Sequence, residues 1–268
     1  MKAPLPSTKV VMDFKDTGAG DPIVFLHAFP FSRLMWRPQV ETFREFARVI
    51  TPDLRGFGGT QGGVGPTTMD AMADDVAALL DAREIREPVT LVGLSMGGYV
   101  ALAFAAKYAA RLRALVLSDT RAEGDDAAAK AKRDEQIALV GEKGTRALVD
   151  KLVPAMTSAN AEDRASVSAE LLAIASIQSP FGIAKALAAL RDRPDRTDML
   201  PTVAVPTLVL VGADDTVTPK PFAETLARSI PGAELVEIPR AGHLASLENP
   251  KAWNDAVRLF WGRTFPSN

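Results

Sequence analysis

The chain has 268 residues, a formal net charge of −2 and 47% hydrophobic residues, enough to bury a sizeable core in a single α/β domain. The nearly balanced charge leaves no electrostatic footprint for a nucleic-acid partner or an anionic membrane. With no cysteine, disulfides, thiolate metal sites and cysteine nucleophiles are excluded. Residues 1–10 carry no apolar run that would read as a signal peptide. No segment approaches the length needed to span a bilayer, so the expected compartment is the cytoplasm.

In chain order, residues 9–15 (KVVMDFK) read as a strand and 17–22 as its turn. Residues 23–26 (IVFL) form a continuous apolar run, as expected of a strand buried on both faces. That run ends in His27-Ala28-Phe29-Pro30. A helical segment over 36–46 leads to a strand at 47–51 and a glycine-rich turn at 52–60 (PDLRGFGGT). In that turn Asp53 and Arg55 are expected to tie the loop together, and Trp36 to be packing. Thr68 is placed to cap a helix over 69–82, with Met72, Val76, Leu79 and Leu80 on one face.

The stretch 89–104 (VTLVGLSMGGYVALAF) then runs from an apolar strand through Gly93-Leu94-Ser95-Met96-Gly97 into an Ala- and Leu-rich helix. Strand, G-x-S-x-G and helix place a serine on a sharp turn above a parallel sheet. A strained serine backbone brings strand and helix together, so the residues two before and two after must be nearly free of side chain. Residues 113–119 form a further buried strand. From 120 to about 200 the rhythm changes to helical stretches (127–139, 145–152, 161–177, 181–190), read as a helical insertion, and 191–198 (RDRPDRTD) reads as a solvated linker. Strand–helix alternation returns with a strand at 206–212, a helix at 221–229, a strand at 234–238 and a helix at 250–261. The alternation implies a mostly parallel sheet covered on both faces, with functional groups on loops beyond the C-terminal strand ends.

A serine hydroxyl needs a base to become a nucleophile. Of the two histidines, His243 lies in a loop after the last expected strand and can reach over the sheet, whereas His27 ends an early strand and reads as a hydrogen-bonded structural imidazole. A carboxylate must hold the base. Asp214 and Asp215 open the loop after the 206–212 strand, and Asp119 at another strand end is a rival. The order Ser95, Asp215, His243 fits the motif. Oxyanion donors are expected from the N–H groups of Met96 and, after the early strand, Phe29.

These stretches — HAFP (27–30), PDLRGFG (52–58), GLSMGG (93–98), GADDxxxP (212–219) and AGH (241–243) — resemble the α/β-hydrolase superfamily. The resemblance implies an eight-stranded, mostly parallel sheet with helices on both faces, a core from 1–120 and 201–268, and a helical cap over 121–200. It also assigns the acid to Asp215 rather than Asp214. The usual oxyanion loop has Gly where this chain has Ala28. The cap loosely resembles those of small carboxylesterases and enol-lactonases. The expected activity is hydrolysis of small carboxylic esters through an acyl-enzyme, with no metal or cofactor. Lactonase, thioesterase and C–C bond hydrolase activities share the chemistry, and a slow-turnover ligand receptor is the alternative of a different class. Ile137, Leu148, Leu152, Met156, Ile174, Ile177 and Phe181 are candidates to shape a pocket or to glue the cap to the core.

Overall fold

The computed structural model describes residues 1–60, 63 and 65–265. Among these, eight strands form one sheet in the order β1-β2-β4-β3-β5-β6-β7-β8. The edge pair β1 (Lys2–Leu5) and β2 (Val10–Thr17) is antiparallel, and β2 also runs antiparallel to β4 (Arg48–Pro52). From β4 onward, β3 (Pro22–Leu26), β5 (Val89–Leu94), β6 (Leu112–Ser118), β7 (Thr207–Gly212) and β8 (Glu234–Ile238) are parallel. β1 went unread in the sequence. Its burial alternates over only four residues and it contains Pro4, which an edge strand tolerates because one side of its ladder is open.

The central strands alternate between two cores. Val24, Leu26, Leu91, Leu115, Leu117, Val209 and Val211 face one layer, with α2 (Met69–Ala82), α3 (Met96–Tyr108) and α7 (Lys220–Ser229). Ile23, Phe25, Val92, Leu94, Val116, Leu208 and Leu210 face the other, with α1 (Arg37–Phe43) and α9 (Pro250–Thr264). Burial on both faces explains the unbroken apolar runs. Thr68 caps α2 as expected, its side chain accepting the Ala71 N–H. Trp36 is fully buried against Phe25 and Trp253.

Three α-helices lie between β6 and β7 among the described residues: α4 (Ala127–Met156), α5 (Arg164–Ser176) and α6 (Pro180–Arg191). α4 is broken at Gly144, which adopts φ 76°, so the second half starts at Thr145. The helices straddle both cores: Val140 and Leu148 join one, Val149, Val153 and Met156 the other.

The stretch after α6 departs from the solvated linker expected. Arg193 is buried, stacks over Tyr99, and donates to Asp125 and to the Leu190 and Glu123 carbonyls. Arg196 donates its N–H to Ala122 O and its guanidinium to Asp70. The chain entering the helical segment and the chain leaving it are therefore fastened together. An alternating charge pattern reads as solvated only until each charge finds a partner distant in sequence.

Candidate active site

β3 lies between β4 and β5, so the chain leaves it toward one sheet edge and passes β5 toward the other, opening a crevice at their C-terminal ends. Ser95 follows β5 there. Its backbone sits at φ 53°, ψ −113°, a strained conformation for a residue with a side chain. Sterics dictate its neighbours. A Cβ on Gly93 would come 2.3 Å from the Gly97 carbonyl oxygen, and one on Gly97 would come 2.1 Å from that of Leu26. The elbow is pinned from β6: Ser95 donates its N–H to Ser118 O at 3.0 Å, and Thr120 Oγ1 donates to Ser95 O at 2.9 Å.

His243 reaches this elbow from the loop after β8. Its Nε2 lies 2.8 Å from Ser95 Oγ, and its Nδ1 lies 2.9 Å from Asp215 Oδ2. Asp215 stands just beyond β7. Its Oδ1 accepts the N–H groups of Val217 (2.8 Å) and Thr218 (3.0 Å), and its Oδ2 accepts the Thr218 hydroxyl at 2.7 Å. Burial pushes the Asp215 carboxyl up, but the charge and hydrogen bond of His243 and the Thr218 donors outweigh it and hold the group at about 2. Since this is below the ordinary 3.8, its stabilisation is complete above that value and is lost as pH falls toward about 2.

The rival carboxylates do other work. Asp119 is buried, accepts the Gly212 N–H at 2.8 Å and the Ser118 hydroxyl at 2.7 Å, and so ties β6 to β7. Burial, and then the nearby Asp215 charge, push its carboxyl well above the ordinary range, which favours the neutral acid. Asp214 turns outward and accepts from Ser158 Oγ and Asn160 Nδ2, in the turn after α4.

His27 is fully buried. Its Nε2 accepts the Leu54 N–H at 3.0 Å, leaving Nδ1 to donate to Ala28 O at 3.0 Å. Burial lowers its tendency to protonate. It is a loop support, as expected, and Asp53 and Arg55 also tie their turn. Asp53 accepts the N–H groups of Arg33 and Gly59, while Arg55 makes a buried two-pronged pair with Asp75.

Phe29 and Met96 occupy equivalent places on neighbouring loops. Leu26 pairs with Gly93 at the ends of β3 and β5, and each of the two residues lies three positions further on. Neither N–H finds an acceptor among the described residues. The Phe29–Pro30 peptide is cis. Ala28, standing in for the family's Gly, avoids positive φ and is buried, so its methyl costs no backbone strain there.

An alpha/beta hydrolase family model matches residues 23–256. The chain belongs to the alpha/beta hydrolase family. The structure of a thermophilic esterase from Thermogutta terrifontis is similar with a TM-score of 0.94 and 39% identity, covering 98% of each chain. That of an enol-lactonase from Burkholderia xenovorans has a TM-score of 0.89 at 27% identity, covering 97% of this chain and 99% of its own. The 3-oxoadipate enol-lactonase 2 of Acinetobacter baylyi is 29% identical over 268 residues, 98% of this chain and 97% of its own length.

In this hydrolase, three residues around the site went unread in the sequence. Thr218 lies within 3.3 Å of His243 Nδ1 and grips Asp215 through both its N–H and its hydroxyl. Thr120 holds the Ser95 carbonyl. Glu248 receives backbone N–H groups from both sides of His243. Threonines just past strand ends give no distinctive signal. Glu248 does, as a lone charge after the uncharged stretch Leu244–Leu247. Of the candidate pocket residues, Ile177 and Phe181 are 75% and 66% exposed. Leu148, Met156 and Ile174 are buried in the cores, and Ile137 and Leu152 pack against them. Among the described residues no single helix is long and apolar enough to cross a membrane.

Proposed function

We propose that this hydrolase cleaves small carboxylic esters through an acyl-enzyme on Ser95. The observation that carries the reading is the unbroken hydrogen-bonded line from Ser95 Oγ through both ring nitrogens of His243 to Asp215, built on a strained elbow. His243 takes the serine proton as Oγ attacks the carbonyl carbon. Asp215 holds the imidazole with Nδ1–H toward it and stabilises the imidazolium that forms. The free N–H groups of Phe29 and Met96 receive the developing oxyanion. The protonated His243 then hands its proton to the departing alcohol. Water repeats the sequence on the acyl-enzyme, releasing the acid and restoring Ser95. No step calls for a metal or cofactor.

In this reading the 121–200 segment is a cap over the site. Two of its contacts fall on loops that leave the C-terminal strand ends: Gln178 Oε1 accepts the Gly58 N–H, and Met156 O accepts that of His243. Similarity over the whole chain to a 3-oxoadipate enol-lactonase supports a second reading, in which the carbonyl attacked belongs to a small lactone and the alkoxide stays on the same molecule.

The test is steady-state turnover of p-nitrophenyl acetate and butyrate beside a panel of simple lactones. Multiple turnovers are expected, falling toward acid because a general base must be unprotonated to accept the serine proton, while Asp215, held at about 2, stays ionised. A single burst with strong thermal stabilisation would instead mark a ligand receptor, and a profile flat from acid to alkaline would remove the histidine base.

A further inference from the structure

Glu248 is a buried carboxylate with no part in the proton transfers above. It ends α8 (Ala245–Glu248), the short helix following His243. Its Oε1 accepts the N–H groups of Gly242 at 3.0 Å and Leu244 at 3.1 Å, the two residues flanking the histidine. Its Oε2 accepts the N–H of Ser158 at 2.6 Å, in the turn after α4. The N–H of His243 itself goes to Met156 O at 2.9 Å. One carboxylate thus fixes the peptide units on both sides of the imidazole and joins them to the helical segment. There is no slack in the joint. A Cβ on Gly242 would come 2.8 Å from Ser158 N and 2.9 Å from Met156 O. The same turn is held again by Asp214, which accepts from Ser158 Oγ and Asn160 Nδ2.

Backbone N–H groups can be satisfied by a neutral oxygen, so a buried charge here calls for a further reason. Burial pushes the Glu248 carboxyl above its ordinary value, and the three N–H donors and a positive charge on His243 offset this only in part. The charged and titratable groups around the imidazole are Asp215 on its Nδ1 side, Asp119 behind Asp215, and Glu248. Arg240 on the same loop is engaged outward with Glu162.

We propose that Glu248 is a positioning residue for the base: it aims the His243 imidazole at Ser95, ties that aim to the turn after α4, and places a negative charge where the imidazolium forms. The inference rests on the hydrolase reading of Ser95 and His243. Glu248→Gln keeps the volume and one acceptor oxygen but removes the charge, whereas Glu248→Ala removes both. Turnover of p-nitrophenyl acetate, its pH profile and thermal melts are measured for both variants, for the wild type and for Ser95→Ala.

The expected result is a kcat lowered about tenfold in Glu248→Gln and about a hundredfold in Glu248→Ala, the scale of a small misplacement of a reacting group. KM should change by less than about twofold. In both variants the acidic limb of kcat/KM moves to lower pH. Losing a nearby negative charge disfavours the protonated imidazole, so the neutral base persists further into acid. A lowered melting temperature with unchanged kcat and an unmoved limb would reduce Glu248 to a structural strut and overturn the proposal. If Ser95→Ala is inactive and the Glu248 variants behave as wild type, this inference alone falls. If Ser95→Ala is as active as wild type, the underlying reading falls and takes this one with it.

Discussion

The elbow that carries Ser95 and the helical segment from α4 to α6 are built on opposite principles. At the elbow, backbone approaches backbone so closely that Gly93 and Gly97 admit no side chain, and geometry is set by sterics within a few residues. In the helical segment, position depends on polar ties between residues distant in sequence: Arg193 to Asp125 at its base, and Ser158 to Asp214 and Glu248 above the site. The first design gives one rigid arrangement. The second holds the segment at separate points, one at its base and one at the turn after α4.

The largest effects belong to the rigid part. Ser95→Ala and His243→Ala should lower kcat by roughly 10⁵–10⁶, with Asp215→Asn somewhat less severe. Asp119→Asn should lose less than about tenfold, because its amide oxygen can still accept the Gly212 N–H. Steady-state kinetics on folded protein checks the series. An Asp119→Asn variant worse than Asp215→Asn would move the acid to β6 and leave the fold untouched.

The stability contrast is smaller. Gly97→Ala forces a methyl against the Leu26 carbonyl at 2.1 Å and should cost about 3 kcal/mol together with activity, since the end of the strand leading to Phe29 must shift. Arg193→Ala leaves Asp125 with Arg121 and Arg133 and should cost about 1–2 kcal/mol, raising KM more than it lowers kcat. Denaturant melts and paired kcat and KM measurements separate the two. Equal damage to kcat from both would mean that the helical segment is no more tolerant than the elbow.

That contrast also explains what could be read from the sequence. The strands of the parallel sheet were legible because burial on both faces leaves continuous apolar runs, and the site because Gly93, Ser95 and Gly97 are demanded by local sterics. His243 followed from strand-end placement and chain order, which left Asp214 and Asp215 both open for the acid; the resemblance to the superfamily chose Asp215. The edge strand β1 was missed because four residues containing Pro4 carry too little periodicity. The stretch 191–198 was misread because the partners of Arg193 lie at residues 123 and 125 and those of Arg196 at 70 and 122, which no local pattern reveals. Ile177 and Phe181 were counted with the pocket candidates on hydrophobicity alone; both are largely exposed, and Phe181 lines a surface cavity with Gly56, Gly58 and Gly182. Helix amphipathicity says that a face is buried without saying against what.

Acid-quenching the protein during turnover of p-nitrophenyl acetate, and mapping its peptides by mass spectrometry, asks whether the serine becomes acylated. The reaction proposed here requires one acetyl group on the peptide carrying Ser95, absent from Ser95→Ala and more abundant in Asp215→Asn if deacylation slows. Sustained turnover with Ser95 unmodified, or with the acetyl group on another residue, would contradict it.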